Sequence, residues 1–282
     1  MSIIGRNSTL FNAYQKEKQK VTANFKLNEM TSQTQISIEK LSSYDLAVMI
    51  GTIDGEIAKR GGLEVYQAAS IKGQDQKRGG DSSKRMVDWL KEIGIWQTKD
   101  MKIKPVALEI GSLSSRNYIT SCKIFERITR IDLNSQEPGL IIQQDFFERP
   151  LPTKLVERFD LISCSLVVNF VSKPEQRGRM LRRITKFLKE PDDAVGGRCL
   201  FFFVIPLPCV KNSRYCDKQR IDEIMKSLGF ECRKYHESHK LAYWLLEWKG
   251  SNSVDNEYAI GKRELHGGSK RNNFCIIMEA ES

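Results

Sequence analysis

The stretch Val106-Ala-Leu-Glu-Ile-Gly-Ser-Leu-Ser114 decides how this chain of 282 residues is read. Val106 to Ile110 is a short apolar run with Glu109 near its end, the pattern of a buried parallel strand. Gly111 follows, where a backbone without Cβ turns sharply and lets a ligand come close. Ser112, Ser114 and Ser115 offer caps for a helix expected to run to Phe125. A second strand, over residues 128–133, carries Asp132, 21 positions after Gly111. Strand, glycine turn, helix N-terminus and a carboxylate about 20 residues on describe a βαβ nucleoside site, the carboxylate accepting from the ribose hydroxyls.

The glycine count narrows the ligand. A dinucleotide needs G-x-G-x-x-G so that its pyrophosphate can sit on the helix N-terminus, whereas one glycine stands here and Glu109 would repel a pyrophosphate. A carboxylate beside a single glycine suits a ligand with positive charge, such as the ammonium and sulfonium of S-adenosylmethionine (SAM). An acidic strand end in any βαβ unit could show the same pattern by chance.

Downstream, a third strand over residues 140–143 leads into Asp145-Phe146-Phe147. An Asp there can bind an adenine amino group with an aromatic ring to stack on it, or simply cap a turn. Arg149-Pro150-Leu151-Pro152 is a rigid turn. A fourth strand, residues 159–168, is apolar except for Ser163 and Ser165 and opens into Asn169-Phe170-Val171. In open α/β sheets the ligand crevice lies outside the carboxyl ends of the strands, so this tip should face the same crevice as Gly111. Asn169 brings a donor and an acceptor and Phe170 a stacking face, although Asn is also an ordinary turn former. Residues 174–189 form an amphipathic helix whose polar face carries Arg177, Arg179, Arg182, Arg183, Lys186 and Lys189 against Glu175 alone. That face reads either as plain solvated charge or as part of a nucleic-acid footprint. A fifth strand (198–205), a helix (213–228) and strands at 230–235, 241–248 and 274–278 complete the pattern, with a flexible polar stretch expected at 249–273.

Upstream, residues 1–35 read as a flexible polar arm and 36–103 as a helical region, leaving 104–282 as the α/β domain. A helix over 36–60 would bury Leu41, Tyr44, Val48 and Ile57, and Gly61-Gly62 would stop it. A short helical piece is expected at 63–70. The glycine-rich loop 72–84 reads as a capped connector or as a ligand-contacting loop over the nucleoside site. Asp81 or Ser82 would cap a helix carrying Met86, Val87, Trp89, Leu90 and Ile93.

Composition sets outer bounds. The net charge of +10 points weakly towards a polyanionic partner. Seven cysteines without a C-x-x-C pair, and no signal peptide, read as reduced thiols in a soluble intracellular protein. The longest apolar run, 199–210, is broken by Pro206 and Pro208 and is too short to span a bilayer. No Ser-His-Asp or metal-ligand spacing is present, and His236 and His239 read as surface residues.

Together these elements resemble a class I SAM-dependent methyltransferase, and several stretches make the likeness specific. They are Gly61-Gly62-Leu63-Glu64-Val65-Tyr66-Gln67, Arg78-Gly79-Gly80-Asp81-Ser82-Ser83-Lys84, Leu108-Glu109-Ile110-Gly111-Ser112, Arg130-Ile131-Asp132-Leu133, Gln144-Asp145-Phe146, and Val168-Asn169-Phe170-Val171 with Arg177-Gly178. They resemble the fungal 25S ribosomal RNA adenine-N1 methyltransferases, a family with a SAM sensor among its animal relatives. Where that family has a proline directly after Asn-Phe-Val, Ser172 stands here, with Pro174 two positions on. The resemblance implies a Rossmann-like, seven-stranded, mostly parallel sheet with a helical N-terminal extension. It implies SAM as cofactor, held chiefly by Gly111 and Asp132, with Glu109, Asp145, Phe146 and Ser165 around it. Asn169 and Phe170 would grip the target adenine. The implied partner is 25S ribosomal RNA, presented naked or in a pre-ribosomal particle, in the nucleus and nucleolus, without metal or membrane. A non-catalytic SAM sensor, and a methyltransferase for protein or small molecules, are the competing readings.

Overall fold

The computed structural model describes residues 42–59, 81–96 and 103–281. The arm at 1–35, the Gly61-Gly62 stop, the helical piece at 63–70 and most of the glycine-rich loop lie outside them. The chain divides into two compact units, Met1–Gly73 and Gln74–Ser282.

In the first unit, helix α1 spans Ser43–Lys59. It opens with a reciprocal cap: Ser42 Oγ accepts from Asp45 N–H at 3.2 Å and Asp45 Oδ2 accepts from Ser42 N–H at 3.1 Å. Its buried residues are Ala47, Gly51 and Gly55. The expected stripe is not the buried one, since Tyr44 and Ile57 are exposed. Small residues every fourth position define the covered face, so the glycines that lower helix propensity supply the close-packing surface.

The second unit is built on seven strands: β1 (Val106–Ile110), β2 (Arg127–Asp132), β3 (Ile142–Gln143), β4 (Leu161–Ser165), β5 (Cys199–Pro206), β6 (Phe230–Glu237) and β7 (Leu241–Trp248). Their order is β3-β2-β1-β4-β5-β7-β6, with β7 antiparallel to both its neighbours and every other pairing parallel. This is the expected seven-stranded, mostly parallel sheet. Helix α2 (Ser83–Glu92) covers one face with Met86, Val87, Trp89 and Leu90. On the other lie α4 (Pro174–Phe187) and α6 (Lys218–Ser227), while one-turn helices α3 (Tyr118–Ser121) and α5 (Pro208–Lys211) sit in connections. Because both faces are covered, β5 is apolar throughout: Phe201, Phe203 and Ile205 enter one core, Leu200, Phe202 and Val204 the other.

Three expectations are corrected. The helix to Phe125 is only the single turn α3, because the intended capping groups are used elsewhere, as described below. Residues 274–278 do not join the sheet. They run across α4, with Ile277 N–H donating to Pro174 O at 3.1 Å and Met278 in an isolated bridge with Ile260. The close approach needs Gly178, where an added Cβ would overlap Ile277 O. The stretch 249–273 is likewise not free. Asp255 N–H donates to Ser227 O, Leu265 N–H to Arg214 O, and Ser213 bridges Asn272. This C-terminal strap is held by backbone bonds that charge-rich sequence does not advertise.

One carboxylate ties the central strands to the helical layer. Asp160, fully buried at the start of β4, accepts from Val106 N–H at 2.7 Å, Val195 N–H at 2.9 Å and Lys189 Nζ at 2.9 Å. Asp160→Ala would leave two amides and an ammonium without their acceptor. It should lower stability by about 3–5 kcal/mol, the range for breaking a buried pair, read by urea unfolding.

Candidate active site

The strand order reverses between β1 and β4. From β1 the chain goes to β2 on one side, and from β4 to β5 on the other. A crevice forms outside the carboxyl ends of strands at such a point. Gly111 turns there at φ +75°, donating its N–H to Ile131 O at 2.9 Å. An added Cβ would overlap Val167 Cγ2. Just after β4, Leu166 also takes a left-handed conformation, φ +59°, which a branched side chain adopts only under constraint from its surroundings. The loops after β1 and β4 are therefore pressed together at Gly111 and Val167.

Glu109 organises this floor. It is buried, Oε1 accepting from Asn117 Nδ2 at 2.7 Å and Oε2 from Ser112 Oγ at 2.9 Å, with Arg130 Nε 3.7 Å away. Burial pushes its carboxyl above the ordinary value, against the hydrogen bonds of Asn117 and Ser112 and the charge of Arg130. Both oxygens are engaged inside the protein, so Glu109 acts here as the anchor of the glycine loop. These bonds also explain the missing helix: Ser112 faces Glu109, and Ser115 gives its N–H and Oγ–H to Glu137.

Asp132 ends β2, and Asp145 follows β3 two residues after Gln143, the register partner of Asp132. Asp132 Oδ1 accepts from Asn134 N–H at 2.8 Å. Among the described residues this carboxylate has no other partner, and burial pushes it above the usual aspartate range. Asp145 Oδ1 takes Phe147 N–H at 2.7 Å in a local turn. Phe146 is placed otherwise than expected. Its ring is buried, 5.2 Å from Phe187 and under the Arg183 guanidinium, so it packs the core and offers no face for an adenine.

Beyond β4, a short 3-10 turn, Val168–Phe170, forms a tip. Asn169 Oδ1 is buried with no hydrogen-bond partner among the described residues, while Phe170 is 61% exposed. A buried amide oxygen without a donor is costly and points to a group that arrives from outside. Ser165 Oγ lies 2.7 Å from Ser82 Oγ, and Asp81 accepts from Ser83 and from Tyr118 N–H, so the Asp-Ser-Ser segment heading α2 joins the rim. That part of the glycine-rich loop reaches the site. Sequence reading treated it as a cap or a ligand loop, and the serine-to-serine contact across 83 positions had no local signal.

Of the two readings of the α4 face, plain solvated charge and a nucleic-acid footprint, neither describes most of its cations, which are engaged within the protein. Arg177 donates to Val171 O, Ser172 O and Cys275 O and lies over the Phe274 ring. Arg182 is buried and donates to Glu279 O, Arg183 donates to Phe146 O and Arg149 O, Lys186 pairs with Glu281, and Lys189 with Asp160. The face is an internal binding surface for the C-terminal strap, with Arg179 and Lys186 exposed. Among the described residues no cluster of His, Cys, Asp and Glu suits a metal, and no helix is long and apolar enough to cross a membrane.

A nucleoside ligand fits this donor and acceptor set. Asp132 has capacity for ribose hydroxyls, Gly111 leaves room where a side chain would collide, and Asp145 lies on the adjoining strand end. Asp132→Ala should weaken SAM binding by about 1.5–3 kcal/mol, the range for hydrogen bonds to a charged group. Because burial raises this carboxyl, acidification should protonate it above the ordinary aspartate value of about 3.9. SAM affinity should then fall as pH drops through that raised midpoint, and Asp132→Asn should be weak and flat across the same window. Calorimetry reads both, and an unchanged Asp132→Ala affinity would place the nucleoside elsewhere.

Known proteins bear on this geometry. The family described as "25S rRNA (adenine(2142)-N(1))-methyltransferase, Bmt2" matches residues 51–276. The 25S rRNA (adenine(2142)-N(1))-methyltransferase of Saccharomyces cerevisiae is 42% identical over 238 residues, covering 83% of this chain and 66% of the relative. The chain thus spans just under two thirds of that protein. The 25S rRNA adenine-N(1) methyltransferase of Schizosaccharomyces pombe is 39% identical over 216 residues, 76% of each chain. A Burkholderia thailandensis 1,6-didemethyltoxoflavin-N1-methyltransferase, solved with S-adenosylhomocysteine, overlays at TM-score 0.44 with 13% identity, covering 66% of this chain and 88% of that one. With the matched region spanning the sheet and the loops of the crevice, this chain belongs to the 25S rRNA adenine-N1 methyltransferase family.

Proposed function

We propose that this protein transfers a methyl group from SAM to N1 of an adenine in 25S ribosomal RNA. The observation that carries the reading is the β4 tip. There a buried Asn169 oxygen, without a hydrogen-bond partner among the described residues, stands beside an exposed Phe170 at the switch point of a class I methyltransferase sheet. When bound, SAM supplies an electrophilic methyl on a sulfonium that leaves as a neutral thioether. Adenine N1 carries its own lone pair, so the chain needs no strong general base, and its contribution is orientation and the exclusion of water.

The residues divide that work. Asn169 Oδ1 has the acceptor capacity for the adenine N6 amino group, which would hold the base while leaving N1 unblocked. Phe170 gives the base a stacking face. A paired N1 is unreachable inside a duplex, so the target must be single-stranded or flipped out, and stacking offsets part of that cost. Asp132 and Gly111 hold the nucleoside of SAM. Action on large-subunit ribosomal RNA carries with it a nucleolar place of work and a pre-ribosomal particle as the presenting partner, and both belong to the proposal.

Asn169→Ala and Phe170→Ala should leave SAM affinity nearly intact. Since base stacking contributes about 1–3 kcal/mol, Phe170→Ala should slow single-turnover methylation of unmodified 25S RNA tenfold or more. Full activity in both variants would reject the tip as the adenine grip. A wild type that binds SAM yet methylates no deproteinised ribosomal RNA would favour a sensor.

A further inference from the structure

Most cations of α4 are covered by the strap and by neighbouring loops, yet a more exposed basic surface, with one ion pair among the described residues, lies elsewhere. Residues 207–216, which follow the carboxyl end of β5, interlock with residues 260–273 of the strap. Arg214 N–H donates to Asn272 O at 2.9 Å, Asn272 N–H to Asn212 O at 2.9 Å, and Leu265 N–H to Arg214 O at 2.8 Å. Asn212 Nδ2 also reaches Lys270 O, and Asn272 Nδ2 reaches Pro208 O. These two short segments hold Lys211, Arg214, Lys262, Arg263, Lys270 and Arg271 against one carboxylate, Glu264.

Lys211 pairs with Glu237 at 3.0 Å, while the other five make no ion pair among the described residues. Arg214 and Arg271 donate to backbone carbonyls, which fixes the guanidinium groups without neutralising them. Lys262 stands over the Tyr215 ring at 4.4 Å, and Arg263 and Lys270 are exposed. Six like charges gathered on bonded backbone repel one another, and a polyanion relieves that repulsion.

Position selects the polyanion. Ser165 of β4 is in register with Val204 of β5, so the segment after β5 leaves the same sheet edge as the β4 tip. Arg177 ties the tip to the strap two residues past position 273, donating to Val171 O at 2.7 Å and to Cys275 O at 2.8 Å. We infer that residues 207–216 and 260–273 form a phosphate-tracking surface for the RNA strand flanking the methylated adenine. This rests on the ribosomal RNA substrate proposed above. The surface supplies affinity and register, and the β4 tip supplies base choice.

The test compares two triple variants of the full chain. Lys262→Gln, Arg263→Gln and Lys270→Gln remove exposed charge from the surface. Lys104→Gln, Lys154→Gln and Lys226→Gln remove as much from residues preceding β1, β4 and β6, at the opposite sheet edge. Binding to unmodified, transcribed 25S RNA is followed by anisotropy across a salt series, with SAM affinity by calorimetry and methylation at saturating RNA. Each lost phosphate contact takes about 0.7–0.9 from the slope of log affinity against log salt. The first triple should therefore lose about two units of slope and tenfold or more in affinity near physiological salt. It should keep wild-type SAM affinity and saturating-RNA methylation, and the second triple should follow the wild type. Equal slopes in the two triples, with a wild type that methylates RNA, would overturn the surface and leave the enzyme reading standing. A slope loss confined to the first triple, in a wild type that methylates nothing, would support the surface and overturn the enzyme. A wild type that does not bind the RNA would overturn the surface.

Discussion

A fully buried carboxylate holds the centre of this protein. Asp160 sits where β4 begins and accepts from the first amide of β1, from Val195 ahead of β5, and from the Lys189 ammonium beyond α4. An ion buried this deeply is tolerable only when its lone pairs are occupied, and here three donors occupy them. The arrangement sets the relative height of β1 and β4, the two strands between which the sheet reverses. With that height set, Gly111 meets Val167 and the two loops close on one another.

The crevice inherits its shape from this closure. Two backbone positions in left-handed conformation, Gly111 after β1 and Leu166 after β4, shape the two loops, one where glycine adopts the conformation freely and one where leucine is constrained to it. Glu109 beneath them is committed to Ser112 and Asn117 by hydrogen bonds and to Arg130 by charge, so its carboxylate is fixed within the protein. Above it, Asp132, Asp145 and Asn169 keep acceptor capacity among the described residues.

Much of this was legible from local pattern, and the remainder depended on distant partners. β5 could be read because it is apolar over its whole length, and the period of α4 is plain from Met180, Leu181, Ile184 and Phe187. The helix expected after Gly111 shrinks to one turn because serines that cap helices in general are here drawn to Glu109 and Glu137. Phe146 and Phe147 are adjacent aromatics, and nothing local says that Phe146 is the one turned against Phe187. The cations of α4 were correctly seen as a single-sign run. Their fate was set by a strap about a hundred residues downstream, whose own charge made it look unstructured. Asp132 and Asn169 stand out as candidates because strand ends at a switch point are few.

The Arg177 link has a consequence for the order in which the molecule is finished. Its guanidinium spans Val171 and Cys275, 98 positions from the arginine itself, whereas the last sheet strand closes at Trp248. During synthesis every strand of the sheet is therefore available before the carbonyls behind the β4 tip gain their bridge to the strap. A chain at that stage has all seven strands and a tip that still lacks its bridge, and the strap laid over Gly178 supplies it last.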